Sequence, residues 1–434
     1  MSASVLDERS TTSTVLRSAV AKIKLNVLPL FILMAMVNYV DRVNISFVRA
    51  QLQADVGIGA VAYGLGAGLF FITYALLEVP SNILMEKYGA RAWMTRIMIT
   101  WGIVSSLMAF IHSVNQFYVV RILLGAAEAG FFPGAYYYFT QWFPKEDRGK
   151  ATALFLSGSA LSSMISGPLS GVLLQIEGFG LKGWQWLFLF EGLSAVVLGA
   201  CVWIWLVSSP DQATWLTTVE KQALNDCIRA EQKEREGAVL TRPSIAQLLR
   251  DPQIALFCFL YFCMQVTIYA VMFWLPSVIK SMGHDLSDFQ VGALNSVPWI
   301  CSVVSMYVYA IFASRWKFQQ AWIASALIMA ALGLYFSTSV VPIVAFLSIC
   351  VAAVGFKGAQ SLFWPIPQQY LDKRIAASVI ALINSIGNLG GFVAPATFGV
   401  LEQYTGSIKG GVYGLAFASG LSALLVFWAR ASRK

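Results

Sequence analysis

An aspartate and an arginine stand side by side in the stretch Asn38-Tyr39-Val40-Asp41-Arg42-Val43-Asn44-Ile45-Ser46, directly after an apolar run from Leu28 to Val37. Near the centre of a membrane-spanning helix, each such charge costs about 2.5–3.5 kcal/mol. Two adjacent charges persist there only if they face a polar cavity or paired groups. Arg121 and Glu128 lie in another apolar stretch, at a spacing that puts both on nearly the same helix face, two turns apart. The four groups, Asp41, Arg42, Arg121 and Glu128, sum formally to zero charge. A guanidinium offers a carboxylate a bidentate fork and does not lose its proton, whereas a carboxyl group can exchange one. Arg42 is therefore expected to anchor a substrate carboxylate, and Glu128 to carry a coupled proton. The alternative is a pair of structural salt bridges, but buried ion pairs are weak devices for stability.

These side chains need a membrane scaffold, and the composition supplies one. The chain has 434 residues, 58% hydrophobic and 12% charged, with a mean hydropathy of +0.67. Soluble domains carry about 25% charged residues, so the chain is a polytopic all-α membrane protein. Apolar runs of about 20 residues recur between short polar breaks. They give twelve expected spans, near 27–47, 62–83, 92–111, 117–142, 150–175, 185–207, 253–276, 289–312, 321–337, 342–365, 376–400 and 411–430. Two bundles of six helices are expected, 27–208 and 253–430, joined by a cytoplasmic linker 209–252 and flanked by tails 1–26 and 431–434. Within the linker, Glu220 to Glu236 is strongly charged and reads as a helix or tether.

The net charge of +8 could point to nucleic acid, but its distribution points to topology. With the N-terminus inside, twenty-three of the Lys and Arg residues fall in inner segments. Four fall in outer loops (Arg49, Lys182, Lys280, Lys409) and three deep within spans (Arg42, Arg121, Lys357). That asymmetry follows the positive-inside rule and places both termini in the cytoplasm. Residues 1–26 lack the apolar segment of a signal peptide. The six cysteines are scattered and give neither a disulfide framework nor a zinc site. Metal and nucleotide chemistry find no footing. The only histidines, His112 and His284, sit in or beside outer loops, there is no His-Glu-x-x-His motif, and Gly149-Lys150 lacks the upstream glycine of a phosphate loop. No cofactor is expected beyond the proton.

Heights along the spans relate the charges. At 1.5 Å per residue, Asp41 lies about 21 Å from the inner start of its span. Arg121 lies roughly 24 Å from the inner surface of a core about 30 Å thick. The two are expected to meet across the first bundle, with Glu128 near the midplane.

The segment Asn82-Ile-Leu-Met-Glu86-Lys87-Tyr88-Gly89-Ala90-Arg91 resembles the loop signature Gly-x-x-x-Asp-Arg-x-Gly-x-Arg of the major facilitator superfamily. Asn82, Glu86 and Lys87 replace its Gly, Asp and Arg, while Gly89 and Arg91 keep their places. The halves also echo one another: Gly130-Phe-Phe-Pro-Gly134, Asp147-Arg148 and Gly167-Pro168 correspond to Gly355 and Gly358, Asp372-Lys373 and Ala394-Pro395. Such internal repeats place a solute site at the midplane between halves. Further stretches resemble one branch, the anion:cation symporters, which take up organic acids with protons. They are Asn38–Arg42, Tyr74-Ala-Leu-Leu-Glu-Val-Pro-Ser-Asn82, Arg121-Ile-Leu-Leu-Gly-Ala-Ala-Glu128-Ala-Gly-Phe-Phe-Pro-Gly134, Trp184–Gly192 and Asn384–Gly391. The resemblance covers all but the tails and most of the linker, and implies the major facilitator fold.

It also implies roles. Asp41 and Glu128 would handle protons, with Arg42 and Arg121 as their partners. Tyr39 and Tyr74 would touch the substrate from the first half, and Trp364, Asn384 and Ser361 from the second. Lys357 departs from the family pattern by adding a cation to the tenth span. It would either meet a second carboxylate or ring heteroatom, or snorkel to the inner surface. Glu78 and Glu191, in stretches common to the family, read as structural.

The expected function is proton-coupled uptake of a small organic anion across the cytoplasmic membrane by a monomer, with lipid around it and no nucleic acid partner. A solute sensor would bind without accumulating, and a uniporter or exchanger would not need the two buried acids. Phe363 beside Trp364 tilts the substrate toward aromatic or heteroaromatic acids over sugar acids or tartrate-like hydroxy acids.

Overall fold

The computed structural model describes residues 3–236, 248–283, 286–315, 318–370 and 376–429. His284, linker residues 237–247, Asp372 and Lys373 of the inter-half echo, and the tail 431–434 lie outside the described residues. Every regular element among the described residues is helical. The first half comprises α1 (Ala3–Asn26), α2 (Leu28–Val43), α3 (Arg49–Val56), α4 (Ala60–Tyr88), α5 (Ala90–Leu107), α6 (Val114–Glu128), α7 (Phe131–Trp142), α8 (Lys145–Leu173) and α9 (Gly183–Trp205). After α10 (Thr218–Glu236), the second half comprises α11 (Pro252–Met282), α12 (Asp288–Arg315), α13 (Gln319–Phe336), α14 (Pro342–Phe363), α15 (Pro365–Tyr370), α16 (Ala376–Asn388), α17 (Gly390–Thr405) and α18 (Ile408–Leu425).

Among the described residues, eleven helical stretches are long and apolar enough to cross a membrane. The remaining expected span is α8, whose 29 residues reach about 43 Å. Its serines and glycines lower its hydropathy while letting neighbours come close. The Ser162 hydroxyl donates to the Met36 carbonyl at 2.9 Å, and Gly158 packs against the α2 backbone at Ile32.

Several expected spans are interrupted. The fourth is α6 and α7, broken at Gly130, whose φ of 91° is left-handed. A side chain there would also strike Ser81, whose hydroxyl donates to the Ala129 carbonyl at 2.6 Å. Only glycine meets both demands without strain. The eleventh span divides at Leu389 between α16 and α17. Both breaks fall beside the space between the halves, where freed backbone groups have protein neighbours.

The expected polar N-tail forms α1 instead. Polar composition does not prevent a helix, and α1 buries Ala19, Val20 and Ile23. It is tied to α10 by Ser18 and Lys22, which donate to Glu220 at 2.7 and 2.8 Å. In the loop resembling the family signature, Gly89 turns the chain at φ 84°. Arg91 then donates to the Trp203 carbonyl at the end of α9, at 2.5 Å.

Candidate functional site

Asp41 and Arg42 occupy the last turn of α2. Successive side chains on a helix diverge by roughly 100°, and these two acquire separate surroundings. Arg42 turns to the space between the halves and forms an ion pair with Glu128 at the end of α6. Its guanidinium centre lies 5.2 Å from the Tyr74 ring centroid, 5.3 Å from Phe70 and 5.7 Å from Phe132. Those rings supply cation–π attraction. Glu128 is fully buried, and its second oxygen has no hydrogen-bond partner among the described residues.

Asp41 turns into the first half. One carboxylate oxygen accepts from Trp101 Nε1 at 2.7 Å, and the other from the Ser105 hydroxyl and from Asn44 Nδ2 at 3.2 Å. Arg121 does not form the expected ion pair with it. The Arg121 guanidinium donates to the Gly66 and Ala67 carbonyls of α4 at 3.1 and 3.3 Å and lies 5.0 Å from the Phe70 ring centroid. Height along a helix fixes the level of a side chain but leaves its direction open. Here Asp41 takes neutral donors from α5 while Arg121 takes backbone acceptors from α4.

A cavity of about 610 Å³ lies between the halves. The first half contributes Arg42, Phe71, Tyr74, Glu78, Phe132 and Tyr136. From the second half, α11 contributes Tyr261, Gln265 and Tyr269, spaced at four residues along one face, and α16 contributes Asn384 and Ser385. Of the expected substrate residues, Arg42, Tyr74 and Asn384 are thus brought together. Tyr39 bridges the halves, its hydroxyl donating to Met272 Sδ at 3.5 Å.

Trp364 and Ser361 are not among the cavity-lining residues. The Trp364 ring packs on Tyr261 at 4.8 Å, and the Ser361 hydroxyl bonds its own helix at the Gly358 carbonyl, 2.8 Å away. Phe363, which had tilted the substrate toward aromatic acids, is buried in the second-half core, stacked on Tyr261 at 5.4 Å. Lys357 is not among the cavity-lining residues and makes no ion pair among the described residues. It donates to Gln360 Oε1 at 3.0 Å, and Gln360 Nε2 donates to Gln265 Oε1 at 2.9 Å.

Wall residues that were not singled out from the sequence as substrate contacts include Glu78, Gln265, Tyr261 and Tyr269. For Gln265 a signal existed, a lone amide in the apolar run Tyr261-Phe-Cys-Met-Gln-Val. Glu191, read as structural, is buried at 2% exposure, and neither carboxylate oxygen has a hydrogen-bond partner among the described residues.

At the end of the molecule where α4 begins, the halves are pressed together. Tyr63 donates to the Phe273 carbonyl at 3.2 Å and Ser296 to the Met164 carbonyl at 2.5 Å. Gly64 packs against the Pro395 carbonyl and Gly167 against Gly292. A Cβ at any of these glycines would overlap the facing backbone. The cavity walls instead run toward the opposite end, where α4 and α7 finish and α8, α11 and α16 begin.

The fold and this arrangement have counterparts. The chain matches the family model of the Major Facilitator Superfamily over residues 31–395. It is 40% identical to a protein of Agrobacterium vitis named "Putative tartrate transporter", over 95% of this chain and 92% of that one. It is 37% identical to a quinolone resistance transporter of Acinetobacter baumannii, over 96% of each. Among solved structures, a bacterial homologue of the human lysosomal transporter Spinster superposes with a TM-score of 0.75 at 14% identity, covering 93% of this chain and 96% of that one. The chain therefore belongs to the Major Facilitator Superfamily, whose members are multi-pass membrane transporters and not enzymes.

Proposed function

We propose that the protein takes up a small organic anion together with a proton, by alternating access across the cytoplasmic membrane. The observation that carries this is the Arg42–Glu128 ion pair at the wall of the central cavity. The cation suited to a substrate carboxylate is held by the acid suited to a proton. While Glu128 is ionised, its carboxylate occupies the guanidinium. Protonation of Glu128 removes that competitor, and the fork of Arg42 becomes available to the incoming carboxylate. The site then holds one proton and one anion without an unpaired buried charge, which lowers the cost of reorienting the halves. Asp41, held by Trp101, Ser105 and Asn44, is the second proton-handling acid, and Arg121 acts on both through space.

Tyr74 and Asn384 face the substrate, and Tyr39 links the halves beside it. Trp364 acts from behind Tyr261, and Ser361 from one turn earlier on α14. The bundles are 27–208 and 253–430, joined by the linker 209–252, with both termini cytoplasmic; the cavity then faces the cytoplasm. The working unit is a monomer in lipid, with the proton as its coupling ion and no other cofactor. The rings of Phe71, Tyr74, Phe132 and Tyr269 on the walls suit an aromatic acid. The Agrobacterium vitis relative, whose name links it to tartrate, and the wall amides favour a hydroxy acid as the second reading. Uptake of radiolabelled acids into proteoliposomes, with and without an inward proton gradient, tests the proposal.

A further inference from the structure

Lys357 is a half-buried cation in the second half with no carboxylate within ion-pair distance among the described residues. Among the described residues its hydrogen-bond partner is an amide, that of Gln360. That contact has a directional consequence. An ammonium group has three donors and no acceptor, so the end of Gln360 facing it must be the carbonyl oxygen. The NH2 end of Gln360 is thereby turned to Gln265. An NH2 can only donate, so the end of Gln265 that meets it must again be oxygen. The free end of Gln265 is then its NH2, on a residue that lines the cavity. Amide orientation is ordinarily ambiguous between O and N; here the cation at the head of the chain removes the ambiguity.

We infer that Lys357, through Gln360, fixes Gln265 as a hydrogen-bond donor across the cavity from Arg42, and that the transported acids carry a second carboxylate to receive it. Lys357 is a positioning residue in this arrangement; Gln265 makes the contact. Two donors at opposite walls, one a guanidinium on α2 and one an amide polarised by an ammonium, suit a molecule with an anionic group at each end. The acidic groups nearest the path are Glu128, paired with Arg42, and Glu78, on the first-half wall one turn beyond Tyr74. Neither is on the second-half side that the amide chain occupies. The inference deepens the organic-anion proposal and rests on it.

Two matched pairs of probes test it: tartrate against 2,3-dihydroxybutyrate, and phthalate against benzoate. In each pair the diacid differs from the monoacid chiefly by one carboxylate. Inhibition constants are measured for wild type, Lys357→Met, Gln360→Leu and Lys357→Arg. Wild type should prefer the diacid in at least one pair. Lys357→Met should lower the diacid-to-monoacid preference about 10- to 100-fold, the range for one hydrogen bond to a charged group. Gln360→Leu should lower it similarly although Lys357 is intact, because the chain is cut. Lys357→Arg, which still only donates, should restore most of the preference. A merely structural lysine would shift expression or thermal stability without moving the ratio. Equal ratios in wild type and Lys357→Met, or a wild type that prefers monoacids in both pairs, would overturn the inference while leaving monoacid transport standing. Failure of wild type to bind or take up any of the four acids would instead remove the organic-anion proposal and this inference with it.

Discussion

Arg49 and Glu402, 353 positions apart in the chain, form an ion pair of 2.5 Å that joins the two halves where they are pressed together. Trp274 Nε1 donates to the other Glu402 oxygen at 2.8 Å, and the Arg49 guanidinium lies 5.3 and 5.4 Å from the ring centroids of Trp274 and Tyr63. Arg49 is only 7% exposed, although its position suggested an outer loop. The pair closes one end of the path while the cavity spreads toward the other.

Removing one partner of such a pair leaves a buried charge uncompensated, at a cost of about 3–5 kcal/mol when burial is complete. Glu402→Gln should therefore favour separation of the halves at this end. Ala394 is buried on α17, the helix whose Pro395 meets Gly64 of α4. Labelling of Ala394→Cys by an impermeant maleimide, with the native cysteines replaced, should rise several-fold in the Glu402→Gln background. The double variant with Arg49→Gln should rise less, if the stranded charge drives opening. Identical labelling in all three would mean that the pair does not hold the closure.

Arg42→Lys keeps the charge and loses the planar fork. The lysine is shorter in reach, offers point-like donation and cannot hold a carboxylate bidentately. Uptake should fall about 10- to 100-fold at normal expression. Near-normal uptake by that variant would exclude Arg42 as the substrate anchor.

Gly130→Ala tests the break that ends α6 just after Glu128. The left-handed conformation costs a residue with a Cβ about 1–2 kcal/mol, and the Ser81 side chain must also shift. Thermal unfolding in detergent should move down by a few degrees. An unchanged midpoint would show that the backbone relaxes without cost.

The N-terminal helix offers a pH test outside the membrane. Burial alone would raise the Glu220 carboxyl, but Lys22, the Thr217 backbone N–H and the Ser18 and Thr217 hydroxyls outweigh it and hold the group down at about 2. A group depressed in the folded state stabilises docking above its unfolded value, about 4.3, and that contribution is lost as pH falls toward about 2. Backbone amide protection over 18–26, taken relative to the intrinsic exchange rate at each pH, should be high at pH 6 and fall between pH 4 and 2. Glu220→Gln should show the lowered protection already at pH 6. Protection independent of both pH and the substitution would mean that Ala19, Val20 and Ile23 hold α1 unaided.

Much of this was legible in the sequence, and the misses share a cause. Hydropathy located the spans, even α8 with its serines, because length and flanking charge survive moderate polarity. Arg121 and Glu128 could be related through their spacing along one helix face, and Asp41 and Arg121 through their depth. Direction could not: Asp41 and Arg121 sit at matching heights yet face different helices. Arg49 was placed by counting charges per loop, which says nothing about whether a loop folds back between bundles. For Lys357 the two expected outcomes were the cavity and the membrane surface. A neutral amide partner one turn away on the same helix, linked in turn to α11, satisfies the ammonium without either. The tail became a helix because one apolar stripe, Ala19, Val20 and Ile23, was hidden by a polar average.

The central claim is that protonation of Glu128 drives uptake of an anion held by Arg42. Purified protein in liposomes, loaded with an inward proton gradient and given a labelled acid that wild type transports, measures it directly. Wild type should accumulate the acid above equilibrium, and a protonophore should abolish the accumulation. Glu128→Gln, whose amide stands in for the protonated acid but cannot release a proton, should exchange internal for external acid in counterflow yet fail to accumulate it. Gradient-driven accumulation by Glu128→Gln equal to that of wild type would contradict the account.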